Sequence, residues 1–330
     1  MTGRVLLCVG DPNGVGPELA VAAAAALDGD PELAPVLVAD RHVVVGWAEL
    51  AGLRVREVAR PIRALPGVLD LLPVEALPHS SACPGRVSPE AGAATVAYVR
   101  TAVAAVQAGL GRAIVAGPHS ETAVNAAGIR FDGYPGLLAD LAGVPRDQVF
   151  LMLVGGGLRV VHATLHEGLA DALRRLTPEL ITSAGLAAAH YLHGIGIGAP
   201  RIGVCGINPH AGEHGLFGNE DEGITRPAVA ALRAGGIDAD GPLGADLLFA
   251  PARRDEFHAH LAMYHDQGHI PVKALAGRRA SAVSLGAGLV FCSVGHGAAF
   301  DIAGSGRADP SAVLDAIRLV GERKPATVVP

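Results

Sequence analysis

The sequence predicts a layered α/β protein, and three observations carry that prediction. Half of the 330 residues are hydrophobic but only 4% are aromatic, with glycine abundant at 44 residues, a composition that suits alanine-rich helices packed on β-branched strands. Short apolar runs recur along the chain, each bounded by Gly, Pro, Asn or Asp. Most of these runs empty into a turn and then a helix start, the alternation that builds a mostly parallel sheet. The length is ample for a large core in one or two domains.

Charge and cysteine usage narrow the function classes. The net charge is −6 with no basic run, which argues against a nucleic-acid partner. Cys8, Cys83, Cys205 and Cys292 lie far apart with no CxxC spacing, so they read as reduced, mostly buried thiols of a cytosolic protein. The apolar run in MTGRVLLCVGD is too short for a signal peptide. The longest apolar segment, Leu19 to Leu27, is far too short to span a bilayer. The expectation is a cytoplasmic protein with no membrane contact.

In chain order, Arg4 to Val9 reads as a strand running into Gly10-Asp11-Pro12-Asn13-Gly14-Val15-Gly16-Pro17-Glu18 and then an alanine-rich helix. Pro17 and Glu18 suit a first helical turn. A strand, glycine-rich turn and helix start can hold a phosphate on free N–H groups. The spacing is neither GxGxxG nor Walker, so a plain turn fits Gly14 equally well. Val36 to Ala39 is a second strand, and the proline-rich stretch from Pro61 to Pro89 is expected to wind over the surface. Ser88-Pro89-Glu90 starts a helix that Gly109 stops. Arg112 to Ala116 is a strand ending at Gly117-Pro118-His119-Ser120-Glu121, followed by a short helix and a loop from Gly128 to Gly136.

Val149 to Val154 and Leu158 to His162 read as a hairpin around Gly155-Gly156-Gly157. His162 and His166 are four apart, a zinc spacing on a helix. Val160-Val161 favour a strand, where they would sit about 13 Å apart, so His166 alone stands as a candidate ligand. A helix follows, and another starts at Thr177-Pro178-Glu179. Arg201 to Cys205 is a strand ending in Gly206-Ile207-Asn208-Pro209-His210, and Gly241 to Asp246 precedes another apolar run. Ser281 to Leu285 and Val290 to Val294 are strands, and a final helix starts at Asp309-Pro310.

The chain is organised around Met263-Tyr264-His265-Asp266-Gln267-Gly268-His269-Ile270-Pro271-Val272-Lys273. An apolar run emptying into a polar loop places its side chains at a sheet rim, where α/β proteins bind ligands. An imidazole beside a carboxylate and an ammonium can hold a metal, orient an anion or move a proton. Three strand ends thus carry a histidine: His166, His210 and His265. Their wide separation has no motif value, and in a chain with 14 histidines some fall at strand ends by chance. A real three-histidine site would leave coordination positions open, as catalytic sites do.

The segments GDPNGVGPEL (10–19), NAAGI (125–129), GINPHAGE (206–213), MYHDQGHIPVK (263–273) and VGHGAAFDIAGSGRADP (294–310) resemble the 4-hydroxythreonine-4-phosphate dehydrogenase family, in family order over nearly the whole chain. The resemblance implies two α/β/α domains with a cleft between them, as in the isocitrate and isopropylmalate dehydrogenases, not a Rossmann domain. It implies a first domain of residues 1–125 and 290–330 carrying the NAD loop, and a second of residues 126–289 carrying metal ligands and dimer contacts. The implied ligands of one divalent metal (Zn, Co, Ni, Mn or Mg) are His166, His210 and His265, in a homodimer with the active site near the subunit interface. His296 to Asp309 is similar to the loop that holds adenosine in isopropylmalate dehydrogenases. That match points to Gly14, His296, Gly297, Asp301, Ile302 and Asp309 as the cofactor set. Asp301 would accept from ribose hydroxyls and favour NAD over NADP.

Departures from the family pattern bear on the substrate. Gly133-Tyr134-Pro135-Gly136 stands where phosphate-using members carry GHTE, Ala282 and Phe291 stand at an Asn and an Arg, and Ser120-Glu121 replaces Asn-Lys. Lys273 alone remains of the phosphate-contacting set, whereas a phosphate dianion needs several charge-assisted donors. The segments 117–141, 148–167 and 265–273 are most similar to the family's terephthalate dihydrodiol dehydrogenase branch, and Tyr134, Pro135 and Phe291 would shape a flatter, apolar pocket for a ring. The expected chemistry is oxidative decarboxylation of a small β-hydroxy acid, with Asp246 and Asp266 as candidate bases and Lys273 holding a carboxylate or enolate-like charge. One of the two aspartates is alternatively a brace for a ligand imidazole. The rival readings are the biosynthetic 4-phosphohydroxy-L-threonine dehydrogenase and a metal- and nucleotide-binding paralogue without turnover.

Overall fold

A computed structural model describes residues 4–60 and 62–321. The chain forms two compact units: one runs to Tyr134 and resumes at Leu289, and the other is Pro135–Gly288.

The first unit opens with β1 (Val5–Cys8), α1 (Gly16–Ala26), β2 (Val36–Ala39), α2 (Arg41–Leu50), β3 (Arg54–Glu57) and β4 (Val68–Pro73). It continues with α3 (Pro89–Gln107), β5 (Ala113–Ala116) and α4 (Glu121–Ala126). Ser88 caps α3 by accepting from the Ala91 N–H at 3.2 Å, as its helix-start pattern predicts. The proline-rich stretch differs from expectation. It contains β4, an interior strand paired with both β2 and β3. Its alternation is hidden because Asp70 takes a core position. Fully buried, that carboxylate accepts from the guanidinium of Arg4 and, at 2.6 Å, from Arg56.

In the second unit, α5 (Tyr134–Ala142) leads to β6 (Phe150–Gly155) and β7 (Leu158–His162), an antiparallel hairpin. Then come α6 (Leu169–Arg175), α7 (Pro178–Gly194), β8 (Arg201–Cys205), α8 (Arg226–Ala234) and β9 (Asp238–Leu243). They are followed by α9 (Ala245–Leu248), β10 (Ala259–Ala262), α10 (His265–Ala276) and β11 (Ser281–Leu285). The strands lie in the order β11-β6-β7-β10-β8-β9. The four from β7 to β9 are mutually parallel, so their C-terminal ends share one edge. α5 opens where a loop was expected, with Tyr134 and Pro135 in its first turn.

The chain then returns to the first unit with β12 (Phe291–Val294) and α11 (Ser311–Gly321). β12 pairs with β5, and the order β3-β4-β2-β1-β5-β12 is parallel throughout. β1, β2, β5 and β12 are buried along their whole length, the pattern of strands covered on both faces. One helical group is α3 with α4; the other is α1 with α2 and α11.

β10 carries a buried polar exception. His260 is 1% exposed, neither ring nitrogen meets a hydrogen-bond partner, and the rings of Phe249 and Phe257 lie 5.2 and 5.8 Å away. Burial pulls its pKa down from 6.5 to about 4. The folded chain therefore binds fewer protons than the unfolded chain between these values. The stability this neutral ring allows is present above pH 6.5 and lost as pH falls toward 4, about 3 kcal/mol in all. Urea unfolding is expected to weaken steeply over that range, and His260→Leu to flatten the slope. An unchanged slope in the variant would clear His260 of this role.

Candidate active site

The parallel edge of the second unit collects the predicted chemistry. β7 leads to His166, β8 to His210, β9 to Asp246, and β10 directly to His265 and Asp266. The stretch 263–273 is not the polar loop the sequence suggested. The chain enters α10 at His265, so His265, Asp266 and Gln267 form a first helical turn on the strand end.

Side chains tie these exits to one another. The hydroxyl of Thr164 donates to the carbonyl of Met263 at 2.8 Å, joining the β7 and β10 exits. Gln267 accepts from the Met263 N–H at 2.7 Å and donates to the Gly206 carbonyl at 2.8 Å, joining β10 to β8. The buried carboxylate of Asp221 accepts from the N–H groups of Ile207 and Asn208 at 2.7 and 2.9 Å, anchoring the loop that bears His210. That loop is strained: His210, Ala211, Glu213 and His214 all have positive φ between 40° and 56°, a conformation that costs non-glycine residues free energy and gathers at functional sites. Roles for Thr164 and Asp221 were not read from the sequence, since their partners lie 13 to 99 residues away.

The rings of His166 and His265 have centroids 5.4 Å apart. His265 Nδ1 bonds Asp266 at 2.6 Å, and His210 Nδ1 bonds Glu213 at 2.9 Å. A carboxylate on Nδ1 is the arrangement that orients a ligand imidazole and leaves Nε2 available. The Glu213 carboxylate, with Asp246 adding to it, raises the pKa of His210. His210 stands outside the His166–His265 contact, and its ring meets Phe217 at 5.7 Å. Among the described residues no group of three His, Cys, Asp or Glu closes around a metal position. In donor type and in shared edge the three imidazoles nevertheless fit a divalent cation. Asp246 is exposed. Lys273 is exposed two turns along α10, roughly 12 Å from its start by helical rise.

In the first unit, Tyr134 and Phe291 touch, with centroids 5.0 Å apart, and Phe131 and His119 extend the cluster. Phe291 is fully covered and Tyr134 is 3% exposed, its hydroxyl donating to the Gly117 carbonyl at 3.3 Å. Burial pushes the Tyr134 pKa well above 10. Pro135 follows at the second position of α5. The segment from His296 packs on the first glycine-rich turn: the Val15 N–H donates to the Ala298 carbonyl at 2.9 Å. A Cβ at Gly14 would fall 2.7 Å from Ala298, so a close approach accounts for that glycine. The Gly306 N–H donates to Glu18 at 3.0 Å. Asp301 and Gly297 are exposed, Ile302 is half-buried, His296 Nδ1 lies 3.1 Å from the Gly297 carbonyl, and Asp309 caps α11 by accepting from the Ser311 N–H.

The cysteines Cys8, Cys205 and Cys292 are buried and Cys83 is exposed, all four as free thiols. No helix of the described residues is long and apolar enough to cross a membrane.

Two α/β units with parallel strand ends are a fold that this chain shares with, among others, a β-decarboxylating dehydrogenase. The chain matches the crystal structure of such an enzyme from Thermococcus kodakarensis with a TM-score of 0.52, over 97% of this chain and 83% of that one, at 15% identity, a likeness of fold alone. More narrowly, it belongs to the family of pyridoxal phosphate biosynthetic protein PdxA, whose profile matches residues 32–320. It is 45% identical to a 1,2-dihydroxy-3,5-cyclohexadiene-1,4-dicarboxylate dehydrogenase of a Comamonas species, over 96% of this chain and 97% of the relative. Identity to the D-threonate 4-phosphate dehydrogenase of Cupriavidus necator is 41%, over 94% of each. The crystal structure of a terephthalate 1,2-cis-dihydrodiol dehydrogenase from Burkholderia xenovorans matches with a TM-score of 0.71 and 49% identity, over 98% of both chains. These relatives are dehydrogenases, and so is this chain.

Proposed function

We propose that this dehydrogenase performs a metal-dependent, NAD-linked oxidative decarboxylation of a ring dihydrodiol carboxylate, with 1,2-dihydroxy-3,5-cyclohexadiene-1,4-dicarboxylate the best candidate and protocatechuate its product. The observation that carries the reading is the delivery of His166, His210, His265 and Asp246 to one edge by four adjacent parallel strands. A cation on the three imidazoles would supply Lewis acidity toward the substrate hydroxyl.

The chain's own residues would do the rest. Asp266 is committed to His265 Nδ1, so its role is to orient that ring, which leaves Asp246 as the base that takes the hydroxyl proton. NAD would supply the hydride acceptor for the same carbon, and the 296–309 segment would hold it with Asp301 on the ribose hydroxyls. The resulting β-keto acid loses its neighbouring carboxyl as CO2, and the electron pair left behind completes the aromatic ring. Lys273 would hold a substrate carboxylate. The replacement of phosphate-binding residues by Tyr134, Pro135 and Phe291 supports a ring carboxylate over a phosphate ester, because the buried Tyr134 and Phe291 side chains offer a dianion no donors.

Large apolar side chains are exposed next to the site residues: Leu169 (55%), Phe217 (44%), Leu247 (47%) and Ile270 (64%). Their placement supports a homodimer whose interface borders the active site.

The test is NADH formation with Mn²⁺, Co²⁺, Zn²⁺, Ni²⁺ and Mg²⁺ in turn, on the dihydrodiol dicarboxylate and on 4-phosphohydroxy-L-threonine. Turnover is expected on the diol with at least a hundredfold preference in kcat/KM. Turnover of the phosphate ester alone would establish the biosynthetic alternative, which the family profile favours. NAD binding without reduction by either substrate would establish the non-catalytic one.

A further inference from the structure

A second pair of histidines lies directly behind His265, outside the candidate ligand set. His162 ends β7 at 1% exposure, and His269 lies one turn into α10 at 8%. His162 Nδ1 is 3.2 Å from the carbonyl of Leu151, its cross-strand partner. A carbonyl only accepts, so that nitrogen carries the proton and His162 Nε2 is a bare acceptor. His269 Nδ1 lies 3.0 Å from this Nε2 and 3.2 Å from the His265 carbonyl, so it too carries a proton, donated to two acceptors. Both tautomers follow from backbone carbonyls. The His269 ring is thereby fixed in place, and the His265 ring stacks on it at 3.7 Å with 13° between planes. Gly268 makes the approach possible: a Cβ there would sit 2.4 Å from His162 Nε2.

From this arrangement we infer that the His162–His269 pair is a positioning device for the cation site. The stack sets the plane of the His265 ring, and the bond to Asp266 sets its rotation within that plane. Together they aim Nε2 before any cation arrives, which removes an ordering cost from binding. The carbonyl of Leu151 is thus linked to a candidate ligand through two side chains 107 residues apart in sequence. The inference rests on the proposed metal site.

The test is Co²⁺ binding to the metal-stripped full-length chain, followed by calorimetry and visible absorbance. The wild type is expected to bind one Co²⁺ per chain, and His269→Leu to bind it 10- to 100-fold more weakly. That variant leaves His162 Nε2 buried without a donor and is expected to lose stability. The double variant His162→Leu/His269→Leu replaces both partners with apolar side chains and is expected to recover thermal stability. If the pair serves only the core, Co²⁺ affinity recovers with stability; if it positions His265, affinity stays low in the stable double variant. Wild-type affinity in either folded variant overturns the inference. A wild type that binds no Co²⁺ overturns the metal site itself, and the inference with it.

Discussion

His166→Ala is expected to lower kcat/KM on the dihydrodiol dicarboxylate by about a thousandfold or more at saturating metal. A Lewis acid at a developing alkoxide supplies several kcal/mol, and about 4 kcal/mol corresponds to three decades of rate. His166 is exposed in the segment that follows β7 and meets His265 ring to ring at 5.4 Å, so removing it opens the cluster without a core cavity. The unfolding midpoint should therefore stay within about a degree of wild type. Steady-state kinetics at several metal concentrations, with bound metal counted in the same samples, measures the effect. Near-normal turnover in a metal-depleted variant would take the metal out of the mechanism.

The second large effect is structural and lies in the first unit. Asp70→Ala is expected to destabilise the fold by about 3–5 kcal/mol, because it strips the counter-charge from a buried guanidinium. Arg4 is 7% exposed and also donates to the carbonyls of Ala34, Pro35 and Ile62 at 2.8–2.9 Å, so its head cannot swing out to water without abandoning them. The unfolding midpoint should fall by on the order of 10 °C. Arg4→Met with Asp70→Leu should recover most of this loss, since apolar replacement of a buried pair is often neutral. A single variant as stable as wild type would show that the carboxylate does little. Because Arg4 precedes β1 while Asp70 lies in β4, the loss should appear in hydrogen exchange of the whole first sheet, not of one strand.

Much of the local architecture was legible in the sequence. β2 and β8 coincide with the expected runs Val36–Ala39 and Arg201–Cys205, and the β6–β7 hairpin forms around Gly155-Gly156-Gly157. Ser88 and Thr177 cap α3 and α7. These signals are local: apolar runs, punctuating glycines, and hydroxyls that accept from an N–H three residues on. β4 was not legible, because Asp70 interrupts its apolar pattern and its two partners, Arg4 and Arg56, are 66 and 14 residues away. Nor was the start of α10 at His265, since Gly268 and Pro271 both argue against a helix. The helix forms because Gly268 lets it lie against His162, and it carries Pro271 in its second turn at the loss of one backbone hydrogen bond.

The sequence by itself determined which residues sit at strand ends, and so which imidazoles and carboxylates are available for chemistry. Only the tertiary structure decided which of them meet. β10 is inserted between β7 and β8, a pairing across dozens of residues that no short window encodes, and it brings His265 against His166 and His269 against His162. The physical reason is range. Caps and turns are set by groups three or four residues apart, whereas a strand's place in a sheet is set by the burial of the whole core, and the exits of the strands inherit their neighbours from that choice.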